Sequence, residues 1–176
     1  MSHIIETERL IIRKITEDDF DDLLLLHSDP EVQKFTGEAV QTSIEEVQKG
    51  IRERTFKDYE KYGYGRWAVI WKETGEFTGW AGLKYLPEFE ETDLGYRFNQ
   101  KFWGKGIATE SSIAILNYGF KELGLKRIIA VAMPEHKASM RVMEKVGMKF
   151  YRAFPYDEGG PDDMWYEIFN PKSKSL

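Results

Sequence analysis

Residues 93–110 read DLGYRFNQKFWGKGIATE, a strand-like run, a segment with Gly104 and Gly106, and then the start of an apolar helical repeat. The pattern predicts a strand over 92–98 and a helix from about residue 108, with Ile113, Leu116, Phe120 and Leu123 on one stripe and Gly124 as its C-terminal cap. A strand that turns directly into a helix leaves the first backbone N–H groups of the helix unpaired, and with the helix dipole they form an anion site. Phosphate is the natural guest, because glycines allow close approach of the backbone and Lys101 and Lys105 add positive charge. The loop is not a Walker A motif, since Gly106 rather than Ser or Thr follows Lys105. It also departs from the dinucleotide fingerprint, whose third glycine position is occupied by Thr109. A plain tight turn, with the glycines serving geometry alone, is the competing reading.

Outward from this stretch the chain alternates clear signals. Towards the N-terminus, strands are predicted over 66–72 and 78–86 and over 9–15. Thr16 caps an acidic first turn of a helix bearing Phe20, Leu23, Leu24 and His27, and His27 reads as a packing residue. A second helix opens with a capping box at Ser43 and Glu46 and runs to about Tyr62. Towards the C-terminus, the apolar run 127–133 predicts a strand buried on both faces. A helix over 137–146 ends at Gly147, and strands over 149–154 and 164–169 follow. This order predicts an α+β domain with a mixed, mostly antiparallel sheet of about seven strands flanked by about four helices. One domain is expected over 1–170, with a frayed tail at 171–176.

Composition narrows the chemistry. The 176 residues contain no cysteine, which removes disulfides, thiolate metal sites and a cysteine nucleophile together, and no metal centre is expected. The longest apolar runs fall well short of a membrane span and residues 1–15 lack a signal-peptide pattern, so no membrane partner and a cytoplasmic location are expected. The net charge of −5 is unevenly distributed. Residues 97–152 hold eleven Lys or Arg against four Asp or Glu and carry +7, leaving −12 on the remainder. Such a molecule can hold a polyanion on one side and a cation on the other. An acidic whole with no RNA- or DNA-binding signature argues against direct contact with nucleic acid.

The stretch DLGYRFNQKFWGKGIATES together with PEHKASMRVMEKVGMKF (residues 134–150) resembles the GNAT superfamily of acetyl-CoA-dependent N-acetyltransferases, specifically the branch with ribosomal-protein N-terminal acetyltransferases. The opening ETERLIIRKITEDDFDDL and the segment from Asp29 to Val32 also match that branch, so the similarity spans nearly the whole chain. The resemblance implies that acetyl-CoA is the acetyl donor, with its pyrophosphate at Lys101, Gly104 and Gly106 and at the amides of Ile107, Ala108 and Thr109; the charge of Lys105 places it beside the same group. Lys101 departs from the Gln or Arg usual at its position. His136 stands where the family has an Asn that contacts the pantetheine arm. Met143 stands where many members have a Tyr that protonates the leaving thiolate, and Ser139 is the residue that substitutes in this branch.

Ser139 also has an independent argument. It shares a helical stripe with Val142, Met143 and Val146 and must point inward, where a buried hydroxyl needs a partner. The family's usual base position, a Glu on the strand before the loop, is held by Asp93, with Glu90 and Glu91 as reserves. The resemblance also implies that a backbone amide near Phe98 stabilises the oxyanion. The resemblance implies a primary amine as acceptor, on a protein N-terminus or a small molecule, and acids such as Glu88 and those between 157 and 163 are expected to attract it. Trp67, Trp71, Trp80 and Tyr85 are expected to line the core or an acceptor cleft, core being favoured. The competing functional classes are a catalytically silent acyl-CoA-binding or sensing module, which His136 and Met143 favour, and a nucleotide-binding protein using the same loop. A monomer or homodimer is expected.

Overall fold

The computed structural model describes residues 4–174. One sheet of eight strands organises it, in the order β1-β2-β3-β4-β5-β6-β8-β7. In chain order these are Ile5–Glu6 (β1), Leu10–Lys14 (β2), Arg66–Trp71 (β3), Phe77–Leu86 (β4), Glu91–Phe98 (β5), Arg127–Ala132 (β6), Lys149–Pro155 (β7) and Asp162–Phe169 (β8). The helices are Phe20–His27 (α1), Pro30–Gln33 (α2), Ile44–Gly50 (α3), Lys57–Tyr62 (α4), Ile107–Lys121 (α5) and Lys137–Lys145 (α6). All strand pairings are antiparallel except β5 with β6, which is parallel.

The expected long strands and helices stand within a residue or two of the observed ones; the one-turn helix α2 adds to the expected elements, and four further points differ. First, the two-residue strand β1 carries too short a pattern to be seen. Second, the helix expected from 43 to 62 is α3 and α4 joined by a π-helical stretch, Ile51–Phe56, although the Ser43–Glu46 capping box forms as predicted. Third, Pro171–Lys174, within the segment expected to be a frayed tail, form a 3-10 turn, while Ser175 and Leu176 lie outside the described residues. Fourth, the expected stripe on α5 holds for Leu116, which is buried, and for Phe120 and Leu123, which pack partly buried against the core, but not for Ile113, which is 45% exposed; Ile107, Ser111, Ser112, Ile115 and Gly119 complete the buried face. Small residues win this face because the helix lies close to the sheet. A β-carbon on Gly119 would stand 2.9 Å from Ile128 Cδ1 and 3.0 Å from Leu83 Cδ1.

Alternation along the strands divides the core in two. Leu10, Ile12, Trp67, Val69, Ala81, Leu83, Leu94, Ile128 and Ala130 point to the α5–α6 side. On the opposite side Ala68 and Phe77 pack with Ile15, Phe20, Leu23, Leu26 and Val47, beneath α1 and α3. The prediction that β6 is buried holds for Ile128, Ile129, Ala130 and Ala132. His27 fulfils its packing role: its Nδ1 lies 2.8 Å from Gln41 Oε1, and its Nε2 accepts from Trp80 Nε1 at 3.3 Å. Burial lowers its pKa from 6.5 to about 4, with Arg97 pushing the same way.

β4 bulges where it meets β3, the register slipping between Val69 and Ile70. Thr78 in the bulge donates to the Val69 carbonyl at 2.7 Å. Gly79 beside it has φ +145, and a β-carbon there would lie 2.1 Å from the Arg97 carbonyl oxygen. Neither the backbone angle nor the space admits a side chain. Gly79→Ala is therefore expected to cost about 2–4 kcal/mol, measured by denaturant unfolding. His27 adds a pH dependence. Its folded pKa lies below the unfolded value, so the unfolded chain takes up the proton first and stability falls as pH drops from about 6.5 to about 4. The total for this group is about 3 kcal/mol, and His27→Gln should flatten that part of the stability–pH curve.

Candidate active site

The parallel pair β5–β6 has a single registered contact, Asp93 with Ile129. Beyond it the strands diverge. The β6-facing edge of Leu94, Gly95, Tyr96, Arg97 and Phe98 has no strand partner, while the other edge stays paired with β4 throughout. A gap lined by strand backbone thus opens in the middle of the sheet, between the helix that follows β5 and the helix that follows β6.

At one end of this gap stands the glycine loop. A 3-10 turn, Gln100–Phe102, leads to Gly104 and Gly106, both left-handed with φ of 74° and 79°. Gly106 is the N-cap of α5 and offers no side chain to the first turn. The first intrahelical bond from the loop is Glu110 N–H to the Gly106 carbonyl at 3.0 Å. That leaves the amides of Ile107, Ala108 and Thr109 without helical acceptors, at the positive end of a 15-residue helix. Gly104 and Gly106 are exposed, whereas Ile107 is 2% exposed and anchors the turn in the core. An exposed, glycine-walled set of amides fits a diphosphate.

The two lysines are engaged differently from each other. Lys101 Nζ bonds Glu76 Oε1 at 2.6 Å, so its charge is largely offset by a carboxylate. Lys105 Nζ rests over the rings of Trp71 and Phe102, at 5.9 Å and 5.4 Å. Trp71 stacks on Phe102 at 5.8 Å and supports the loop from below. Of the other aromatics, Trp67 is 1% exposed and belongs to the core, and Tyr85 packs on Tyr62. Phe98 is buried against Tyr96, and its carbonyl accepts from Trp103 Nε1 at 2.7 Å, which ties the end of β5 to the loop.

Ser139 lies in the first turn of α6, buried as predicted. Its partner is a residue the sequence reading did not single out. Tyr96 Oη lies 2.9 Å from Ser139 Oγ and 3.2 Å from the Ser139 carbonyl, so β5 and α6 are joined across the gap on the helical side of the sheet. Burial pushes the Tyr96 phenol up to about 12, against the smaller opposing effect of Ser139, which keeps it protonated and a donor at neutral pH. Alternation along β5 from Leu94 to Phe98 was the available clue, since it turns Tyr96 to the face where Ser139 must point. Met143 is 2% exposed and belongs to the core on the α5–α6 side.

His136 is the N-cap residue of α6 but makes no capping bond. Its ring stacks on Phe35 at 4.6 Å with an 18° interplanar angle, and burial lowers its pKa. No sequence signal linked Phe35, just after α2, to this position.

Asp93 is buried on the opposite face of β5 and is held by an ion pair from Arg66 Nη2. Arg66 Nη1 also donates to the Gly82 carbonyl at 2.6 Å and to the Asp93 carbonyl at 3.2 Å. Gly95 makes room for this guanidinium, because a β-carbon there would meet Arg66 Nη2 at 2.5 Å. Burial pushes the Asp93 carboxyl upward, and Arg66 pulls against it. Trp80 lies between two guanidinium groups, Arg66 at 5.4 Å and Arg97 at 5.1 Å. Arg97 and Arg54 share Glu38, which their combined charge holds below its ordinary pKa against the push of burial. Of the reserve carboxylates, Glu91 is spent on Arg127, and Glu90 is exposed in a turn with φ 54°. Among the described residues no group of three or more His, Cys, Asp or Glu could hold a metal ion, and no helix is long and apolar enough to cross a membrane.

The family model for an acetyltransferase (GNAT) domain matches residues 9–149. An uncharacterized N-acetyltransferase of Bacillus subtilis, YoaA, is 33% identical over 177 residues, covering 98% of this chain and 99% of the relative. The crystal structure of a GNAT-family acetyltransferase from Bacillus anthracis superposes with a TM-score of 0.80 at 33% identity, over 94% of this chain and 98% of that one. RimL, a ribosomal L7/L12 α-N-protein acetyltransferase solved with CoA, shares the fold with a TM-score of 0.80 at 19% identity, over 96% and 98% of the two chains. With a glycine-walled anion loop, a sheet parted beside it and a hydroxyl pair across the parting, this chain belongs to the GNAT family and is an acetyl-CoA-dependent N-acetyltransferase.

Proposed function

We propose that the chain acetylates protein N-terminal α-amines, with Ser139 as the group that protonates the departing thiolate and Asp93 as the group that assists the amine. The observation that carries this reading is the Ser139–Tyr96 hydroxyl pair spanning the gap in the sheet. Acetyl-CoA supplies an activated acyl group whose thiol departs with a pKa near 8.5 on the cysteine scale, so the proton it needs is a mild demand. Tyr96, being fully protonated, can donate to Ser139 Oγ and leave the Ser139 proton free for the gap. The amides of Ile107, Ala108 and Thr109 would hold the pyrophosphate, and Lys105 would add charge beside it. His136, stacked and neutral, would bound the pantetheine path with Phe35.

On the other face, Asp93 keeps one carboxylate oxygen on Arg66, and among the described residues no hydrogen bond is assigned to Oδ1. That oxygen would accept a proton from a nearby water or from the amine itself. The demand is small for an α-amine: at pH 7 roughly a tenth is already unprotonated, against roughly 0.04% of a lysine side chain. A site whose carboxylate is tied to an arginine suits the less basic amine. The fold shared with RimL points the same way.

Profiling with acetyl-CoA and a panel of peptides, lysine derivatives and polyamines, read as released thiol, should show turnover concentrated on free N-termini. Tight CoA binding with no turnover on any acceptor would instead identify a sensor. Ser139→Ala should lower kcat by roughly 10² with acetyl-CoA affinity retained, and Tyr96→Phe should lower it by a smaller factor. With an N-terminal peptide, kcat/KM should rise with pH and level off near pH 8; a rise continuing towards pH 10 would indicate a lysine acceptor. Initial rates should give intersecting double-reciprocal lines, as direct transfer requires in a chain without cysteine.

A further inference from the structure

We infer that Arg9, at the entrance to β2, is a positioning residue for the diphosphate loop; this rests on the loop being the CoA site. Its guanidinium joins two parts of the quoted stretch that lie roughly a hundred residues downstream. Nη1 donates to the Lys105 carbonyl at 2.9 Å, between the two left-handed glycines. Nε and Nη2 bond Glu110 Oε2 at 2.7 Å and 2.6 Å, and the Arg9 amide donates to Glu110 Oε1 at 3.0 Å. Thr7 Oγ1 completes the clasp on Oε1 at 2.6 Å, and the guanidinium lies 5.5 Å from the centre of the Trp71 ring.

Two physical consequences follow for an incoming diphosphate. The Lys105 carbonyl and the Gly106 N–H belong to one trans peptide plane and point in opposite directions. Fixing the carbonyl on Arg9 therefore fixes the Gly106 N–H facing away from the guanidinium, and a loop with two glycines has much backbone freedom to lose. The second consequence is electrostatic. Glu110 stands in the first turn of α5, where a bare carboxylate would repel a phosphate. Against the push of burial, the Thr7 hydroxyl and the amide and guanidinium of Arg9 hold Glu110 below its ordinary pKa, so it is ionised, and Arg9 is the cation that offsets it. Arg9 thus orders the anion site and cancels the negative charge beside it.

The test is calorimetry with CoA on wild type, Arg9→Ala, Glu110→Gln and the double variant, with melting temperatures of each protein without CoA. Arg9→Ala should weaken CoA binding by about tenfold or more, since it both frees the loop and exposes the carboxylate. Adding Glu110→Gln should recover part of that loss by removing the charge. In turnover assays the Arg9→Ala effect should appear in KM for acetyl-CoA more than in kcat. Unchanged CoA affinity in Arg9→Ala, or a double variant no better than the single one, overturns the inference. Failure of the wild-type protein to bind CoA would instead overturn the site reading on which it rests.

Discussion

The contact between Asp93 and Ile129 holds the two halves of the sheet together at one point and lets them part beyond it. Strand β5 is committed to β4 along its whole length, and β6 to β8 along its whole length, so the parting is braced from both sides. Neither half can relax into the opening without breaking its own ladder. The gap is therefore a fixed feature, with backbone on its walls, a helix N-terminus at one end and a hydroxyl pair across one face. Chemistry at such a place needs few specialised side chains, because much of the recognition is supplied by main-chain groups already oriented by the fold.

Charge is distributed by pairing as much as by location. A two-sided reading of the sequence, basic from 97 to 152 and acidic elsewhere, suggested free carboxylates awaiting a cation. In the structure many of those acids are spoken for: Asp93 by Arg66, Glu38 by Arg97 and Arg54, Glu91 by Arg127 and Glu76 by Lys101; within the basic stretch, Glu110 is likewise held by Arg9. On the Asp93 face of the gap, the guanidinium groups of Arg66 and Arg97 lie over Trp80. Net charge along a chain says little about the field at a site once long side chains have reached across strands to neutralise one another.

Local signals carried most of the fold. Strand and helix spans, the Ser43 cap, the glycine junction and the inward Ser139 all follow from period and from turn chemistry, which act over a few residues. The parts that escaped are the ones fixed by distant neighbours. Ile113 has the period of a buried residue yet faces outward, because the tight approach of α5 to the sheet favours Ser111, Ser112 and Gly119. The partner of Ser139 is 43 residues away on β5, and the partner of Glu110 is 101 residues away, just before β2. Phe35 against His136 belongs with them. Such pairs are set by topology, and no window of sequence contains both members.

The strand order has a consequence for assembly. β8 lies between β6 and β7, although it is last in the chain. During synthesis, a nascent chain delivered only as far as Pro155 carries β6 with a single bridge on one flank and nothing on the other, while β7 has no ladder at all. The β6 and β7 ladders thus both wait for Asp162–Phe169, because β8 is the strand each of them pairs with.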